Sequence, residues 1–359
     1  MLRKLTAWFC MLSLLCCACA AGYAEDMNMI KGSDQNRIRL QRNYPDNPVT
    51  EGMDSLTGLP ASGEPYTPIL VVIDNAEEAH PHWGVSRADI MFQIPNAGAG
   101  ATKLLALFAN EYPEQAGGVR SARASMLPIA MAWDAAFAYA GMPPLKGSNA
   151  NVDYLLRKWN MAKNERSYNM LLKDFKERVD YVASPHNLSC HVGEIHRYLV
   201  SQNVVFEQRP FLFTDEERTD GEQAMEIKMV HKGGDSKKKA NPASTSRFTY
   251  NPELHAYIRS NSSGDYIDRD SGEAIPFANV IVLRTKYGWE NNYVFLAKHL
   301  VGKGVIEIFQ NGRYVRGAWL RESKTGRLVL IGPDGKELQM QRGKTFIVVT
   351  NKVTEVSYR

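Results

Sequence analysis

The stretch PILVVIDN, Pro68 to Asn75, sets the first limit on the fold. Ile69 to Ile73 are apolar without interruption and mostly β-branched, with a proline in front and a polar pair behind. Such a run has no face to offer water. It predicts a strand buried on both sides, inside a sheet covered by other elements. A strand that ends in Asp74-Asn75 also puts a carboxylate and an amide at a sheet's carboxyl edge, where open α/β sheets bind ligands.

The rest of the first half fits that frame. TKLLALF reads as a second strand. The alanine-rich run from Met126 to Tyr139 predicts a buried helix, with Pro128 tolerated in its first turn. ANVDYLLRKWN predicts an amphipathic helix with Val152, Leu155, Leu156 and Trp159 on one face. A further helix follows SPHN, with Val192, Ile195 and Leu199 on its apolar face. His191 and His196 are expected on that helix's surface. Spaced five apart they do not share a stripe, so they make no metal pair.

From about residue 205 the pattern changes to short apolar runs between turns. Asn311-Gly312 and Asp334-Gly335 each lie between alternating segments, which is a strong hairpin signal. DSKKKANPASTS interrupts them as a solvated loop. The expected class is therefore α+β. An α/β amino-terminal domain with a helix-covered sheet, 56–204, is followed by a β-rich antiparallel domain, 205–359. A length of 359 residues accommodates two such cores.

The first 24 residues read as a secretory leader. Arg3 and Lys4 precede an apolar run from Leu5 to Cys19, and Gly22 and Ala24 fit a cleavage site. Lipidation is the alternative, because Cys19 follows Ala18. Cys16 and Cys17, however, stand where a lipobox carries a branched and a small residue. Residues 25–55 are polar and aperiodic and read as a flexible arm. Without the leader the chain holds 41 basic against 39 acidic residues, which gives no case for a nucleic-acid partner. It also keeps one cysteine, Cys190, read as a buried inert thiol. An exported chain with a single cysteine has no internal disulfide and must stand on its cores.

GGVRSARAS, Gly117 to Ser125, is the first candidate site. Two glycines allow a tight turn, and Arg120 and Arg123 bring two guanidinium forks near the start of the predicted helix. Ser121 and Ser125 can donate or cap. The turn grips either an anion or one of the protein's own carboxylates, Asp74 or Asp134. It has neither a Walker lysine nor dinucleotide-fold glycine spacing, so no cofactor is indicated. The second candidate joins Asp74 and Asn75 to His186 and Asn187 of SPHN, the parts of a general acid/base site. Ser121 is the one serine that fits as a nucleophile, and it lacks a GxSxG elbow.

The order ILVVIDNAEEAHPHWGVSRADI, GGVRSARAS, AYAGMPPLKGS, SPHNL and FQNGRYVRGAWLRESKTGRLVLIGPDGKE resembles the YerB family of bacterial envelope lipoproteins. The resemblance runs from about Leu56 to Val349. It implies two domains outside the cytoplasmic membrane and no established activity. Matching motif positions are Asp74, Asn75, Arg120, Ser121, Arg123, His186 and Asn187. The chain departs from the pattern in its lipobox and in the Pro-Pro-Leu-Lys of MPPLKGSNA.

Three functions remain open at this level. One is a module that binds an anionic envelope ligand (a glycan, a peptidoglycan fragment or a peptide carboxylate) through Arg120, Arg123, Asn75 and Asn187. Another is a hydrolase of envelope polymers, with Asp74 as base or nucleophile and His186 as its partner. The last is a scaffold for another envelope protein, with Tyr287, Trp289 and Tyr293 exposed. The membrane enters only through the leader or a lipid anchor. The Asp74–His186 distance separates the first two, since hydrogen-bond reach keeps the enzyme reading alive.

Overall fold

A computed structural model describes residues 48–96, 101–232, 244–262, 264–290, 293–351 and 354–359. The leader, most of the arm and most of the DSKKKANPASTS loop lie outside these residues. The packed fold starts slightly before residue 56. Asp54 and Ser55 are buried, and Asp54 Oδ1 accepts from the Leu56 and Thr57 amides at 3.2 and 2.8 Å.

The first half runs β1 (Ile69–Ile73), β2 (Ile90–Pro95), β3 (Thr102–Phe108), β4 (Ala116–Gly117), α1 (Leu127–Ala132), β5 (Ala136–Tyr139), α2 (Val152–Lys158), β6 (Ser167–Asn169), β7 (Lys176–Arg178), β8 (Leu188–Cys190) and α3 (Val192–Ser201). The second runs β9 (Leu212–Thr214), β10 (Glu222–Gln223), β11 (Glu226–His231), β12 (Ser244–Asn251), β13 (Ala256–Asn261), β14 (Gly264–Asp265), β15 (Pro276–Phe277), β16 (Asn279–Arg284), β17 (Tyr287–Glu290) and β18 (Tyr293–Leu296). It closes with β19 (Gly302–Gln310), β20 (Arg313–Arg321), β21 (Val329–Ile331), β22 (Gln339–Gln341), β23 (Thr345–Thr350) and β24 (Thr354–Tyr358).

Strands from both halves form one mixed sheet, in the order β10-β20-β19-β16-β23-β2-β3-β1-β5-β6, with β21 on β20. The seam is parallel: β2 pairs with β23, Ile90 opposite Thr345 and Gln93 opposite Val348. A second sheet, β14-β13-β12-β11-β24 with β15 on β13, is antiparallel.

β1 shows why the central sheet needs two covers. All five of its residues are buried. Leu70 and Val72 face one cluster together with Leu127 and Ile129 of α1 and Val152 and Leu155 of α2. Ile69, Val71 and Ile73 face the other, with Val192, Ile195 and Leu199 of α3 and with Phe248, Tyr257 and Phe277 of the second sheet. The fold is mostly strand with few helices. Much of the cover expected from helices in the first half is supplied by a sheet.

Three expectations change. The predicted helix over Met126–Tyr139 is a six-residue helix followed by β5. Asp134, at φ +50°, and the Ala135 amide, which donates to Ala130 O at 2.8 Å, end the helix and turn the chain into the sheet. His196 is buried rather than on the surface, stacked on Tyr112 with ring centroids 3.8 Å apart. Of the two predicted hairpins, Asn311-Gly312 joins β19 to β20 with both residues at positive φ. Around Asp334-Gly335, β21 pairs with β20 while β22 pairs in parallel with β9, so no hairpin ladder forms there.

Candidate functional site

The arginine turn does not sit at the mouth of a long helix. It runs beside the end of β1. Asp74 N donates to Gly118 O at 2.9 Å, Arg120 N donates to Val72 O at 3.0 Å, and Val119 bridges Ile73. α1 begins at Leu127 behind Met126, and no side chain caps it. Ser125 therefore does not cap; it is buried, with its hydroxyl unpartnered. The glycines serve close approach rather than positive φ. A Cβ on Gly118 would lie 1.9 Å from the His186 carbonyl oxygen, and one on Gly117 would lie 2.1 Å from the Trp83 ring.

This pairing brings Asp74, Arg120 and His186 together. Asp74 is 3% exposed. Its Oδ2 accepts from Arg120 Nε and lies 2.8 Å from His186 Nδ1. Its Oδ1 accepts from Lys103 Nζ at 2.9 Å and from the Ala76 amide at 3.3 Å. Arg120 Nη1 donates to Pro185 O at 3.1 Å, which ties the arginine to the His186 turn. Burial pushes the Asp74 pKa up, but the Lys103 charge and then Arg120 outweigh it and hold the carboxyl well below its usual range. Burial pulls Lys103 down against Asp74's attraction.

An ionised carboxylate only accepts, so His186 Nδ1 carries the proton that faces Asp74. In the neutral ring Nε2 then holds a lone pair, and no described residue bonds it. The carboxylate orients the imidazole and leaves the far nitrogen available to a proton, a general-base arrangement.

The other expected residues are placed differently. Asp134 pairs with Arg166 at 3.0 Å, not with Arg120. Arg123 meets no carboxylate among the described residues. Its Nη1 donates to Ser121 Oγ and Ala122 O, both at 2.9 Å, its Nε is buried without a partner, and its guanidinium lies 5.4 Å from the Tyr293 ring centroid. Ser121 Oγ is thus engaged by Arg123. Asn187 braces its own hairpin: Nδ2 donates to Val179 O at 3.0 Å and Oδ1 accepts from Arg178 at 2.6 Å. Asn75 Nδ2 donates to Thr102 Oγ1 at 2.7 Å, and its Oδ1 accepts from Arg259 Nη2 at 3.3 Å. Tyr287, Trp289 and Tyr293 are half-buried rather than exposed, and Tyr287 Oη donates to Val349 O.

Lys103 and Arg259 were not among the expected residues. Lys103 is the one charged residue of β3, and the register that sets Ile73 against Leu104 puts it across from Asp74. Arg259 comes from β13, in the second sheet.

Two family descriptions match the chain. "Protein of unknown function (DUF3048) N-terminal domain" covers residues 56–205, and the C-terminal domain of the same name covers 237–347. The chain belongs to this family. A relative from Bacillus subtilis (strain 168), "Putative lipoprotein YerB", is 24% identical over 287 residues, 78% of this chain and 80% of that one. A crystal structure of the YerB protein from Bacillus subtilis matches the fold with a TM-score of 0.68, covering 85% of this chain and 99% of that chain at 24% identity. The DUF3048 N-terminal domain contributes β1–β3, β5 and β6 to the central sheet. The C-terminal domain contributes β16 and β19–β21 and the first half of β23. Asp74, Lys103, Arg120 and His186 all belong to the N-terminal domain, and Arg259 to the C-terminal one.

Proposed function

We propose that this DUF3048 protein is extracytoplasmic, exported or lipid-tethered, and binds an anionic ligand of the cell envelope at the cationic cluster around Asp74. One observation carries the reading. Lys103, Arg120, Arg123 and Arg259 bring four positive charges into or under this region, and among the described residues Asp74 is the one carboxylate that pairs with any of them. Uncompensated charge is costly in a protein interior, and an anionic ligand offsets it. Arginine forks suit a carboxylate or phosphate, the groups found on wall glycans, peptidoglycan fragments and peptide ends. The leader of the sequence and the name of the Bacillus subtilis relative support the location.

Calorimetric titration with muropeptides tests the reading. Arg123→Ala, which breaks no ion pair, is expected to weaken binding about tenfold, the value of one charge-assisted contact. The double variant Arg120→Ala/Arg123→Ala is expected to weaken it further. Unchanged affinity in the double variant removes the reading.

The Asp74–His186 contact favours a second reading, a hydrolase of envelope polymers in which His186 Nε2 activates water. His186→Gln would then abolish turnover of wall polymers while leaving ligand affinity nearly unchanged. Turnover that survives in His186→Gln discards it.

A further inference from the structure

Arg259 is 1% exposed, yet no carboxylate reaches it among the described residues. Its Nη2 makes two long contacts, to Asn75 Oδ1 at 3.3 Å and to Ser246 Oγ at 3.5 Å. Nε and Nη1 are buried and have no acceptor. Three of the five N–H groups of the fork are therefore unmet. Packing does not explain them. The guanidinium lies 4.9 Å from the Tyr266 ring centroid and 5.6 Å from that of Phe346, and a ring face is a weaker partner for an N–H than an oxygen acceptor.

The same Tyr266 ring is flanked by two imidazoles. His80 and His82 each stand edge-on to it with centroids 5.7 Å away, and 4.3 Å from each other. His82 Nδ1 is 3.1 Å from Tyr266 Oη, and the Nε2 atoms of both histidines are buried without partners. Burial, with Arg259's charge adding to it, takes His80 down to about 4 and His82 well below its usual value, so both rings are neutral at pH 7. Unmet polar atoms from three side chains thus gather around one ring with a full positive charge among them, and the nearest carboxylates, Asp74 and Asp268, accept from other groups: Lys103 and Arg120 for Asp74, the Ser86 and Asp270 amides for Asp268. A buried polar group is ordinarily hydrogen-bonded, and each exception calls for a reason.

We propose that Arg259, His80 and His82 form an internal oxyanion site, entered past the half-buried Asn75, that takes a carboxylate or a phosphate group. The planar fork holds either group bidentately. A neutral imidazole adds a donor to an anion without a second full charge. The inference rests on Arg259's own unmet donors and not on the reading of Arg120 and Arg123.

Inorganic phosphate and sodium acetate are the probes, with thermal unfolding and calorimetry of the full chain as readouts and sodium chloride fixing the ionic strength. At least one of the two is expected to raise the unfolding midpoint saturably above chloride. Phosphate acting alone assigns a phosphate-type ligand, and acetate acting alone a carboxylate. The half-saturating concentration is expected to rise at least tenfold in Arg259→Met and to stay unchanged in Arg120→Ala/Arg123→Ala. Arg259→Lys keeps the charge, loses the fork, and serves if the methionine variant does not fold; the same tenfold rise is expected. No saturable effect in the wild type overturns the site. So does a wild-type response in Arg259→Met or Arg259→Lys. A response lost in the Arg120/Arg123 variant but kept in the Arg259 variants moves binding to the outer cluster and also overturns it.

Discussion

Lys103 faces Asp74 across the β1–β3 ladder with its Nζ 2.9 Å from Oδ1, while Arg120 takes the other carboxylate oxygen. The two cations are not equivalent. Lys103 is nine-tenths buried at its side chain, whereas Arg120 keeps 24% of its side chain exposed. Each partner's removal therefore has a different cost.

Asp74→Asn leaves Lys103 buried without its counter-charge and is expected to cost about 3–5 kcal/mol, the range for breaking a buried pair. Arg120→Ala leaves Asp74 paired with Lys103 and is expected to cost about 1–2 kcal/mol. Urea unfolding of the two variants checks the order. Equal costs, or a larger cost for Arg120→Ala, would show that Arg120 and not Lys103 is the main partner.

The pH dependence has a fixed sign. The folded-state pKa of Asp74 is depressed, so its stabilisation is complete above the unfolded value of about 4 and is lost as pH falls below it. The stability gap between wild type and Asp74→Asn is expected to be constant from pH 7 to about pH 5 and to shrink steadily below about pH 4. A gap that widens on acidification contradicts the assigned pairing.

Gly118→Ala drives a methyl group into the His186 carbonyl, and that clash is with backbone, which cannot rotate away. The expected loss is about 3 kcal/mol, at the upper end for overpacking. Muropeptide affinity is expected to fall with it, because the Pro185 carbonyl in the same turn holds Arg120. Wild-type stability in Gly118→Ala would mean the His186 turn yields without cost.

Cys190 is fully buried on β8, and burial pushes its thiol up out of the reactive range. In a form lacking the first 24 residues it is the sole thiol. A thiol reagent is expected to label less than a tenth of the native protein in the time that labels all of it in urea. Fast native labelling would show β8 opening from β4.

The sequence made β1, β3 and the Asn311-Gly312 hairpin legible because each carries its own local pattern: a continuous apolar run or an alternation around a turn. It misled over Met126–Tyr139, since a buried helix and a buried strand share the same apolar composition. The polar interruption at Asp134 was the signal that the run divides there. The site was legible in the same uneven way. Asp74, Arg120 and His186 stand out as polar residues in turns beside apolar runs, and the fold brings them into contact. Lys103 and Arg259 sit within strands and meet the site through register and sheet packing, which no spacing in the chain encodes. Asn187 had the right chemistry, but its amide is used up bracing β7 against β8.

The parallel seam between β2 and β23 has a consequence for the order in which the molecule is built. The ribosome releases Ile90 some 255 residues before Thr345, its partner across the seam. Until then one edge of β2 stands open, a template for any stray strand. The amino-terminal half therefore waits, with its hydrogen-bonding edge unclosed, for almost the last segment of the chain to arrive. Closure at that seam is a long-range event of the kind that slows folding. A nonsense codon between residues 95 and 345 leaves β2 made but with that edge open.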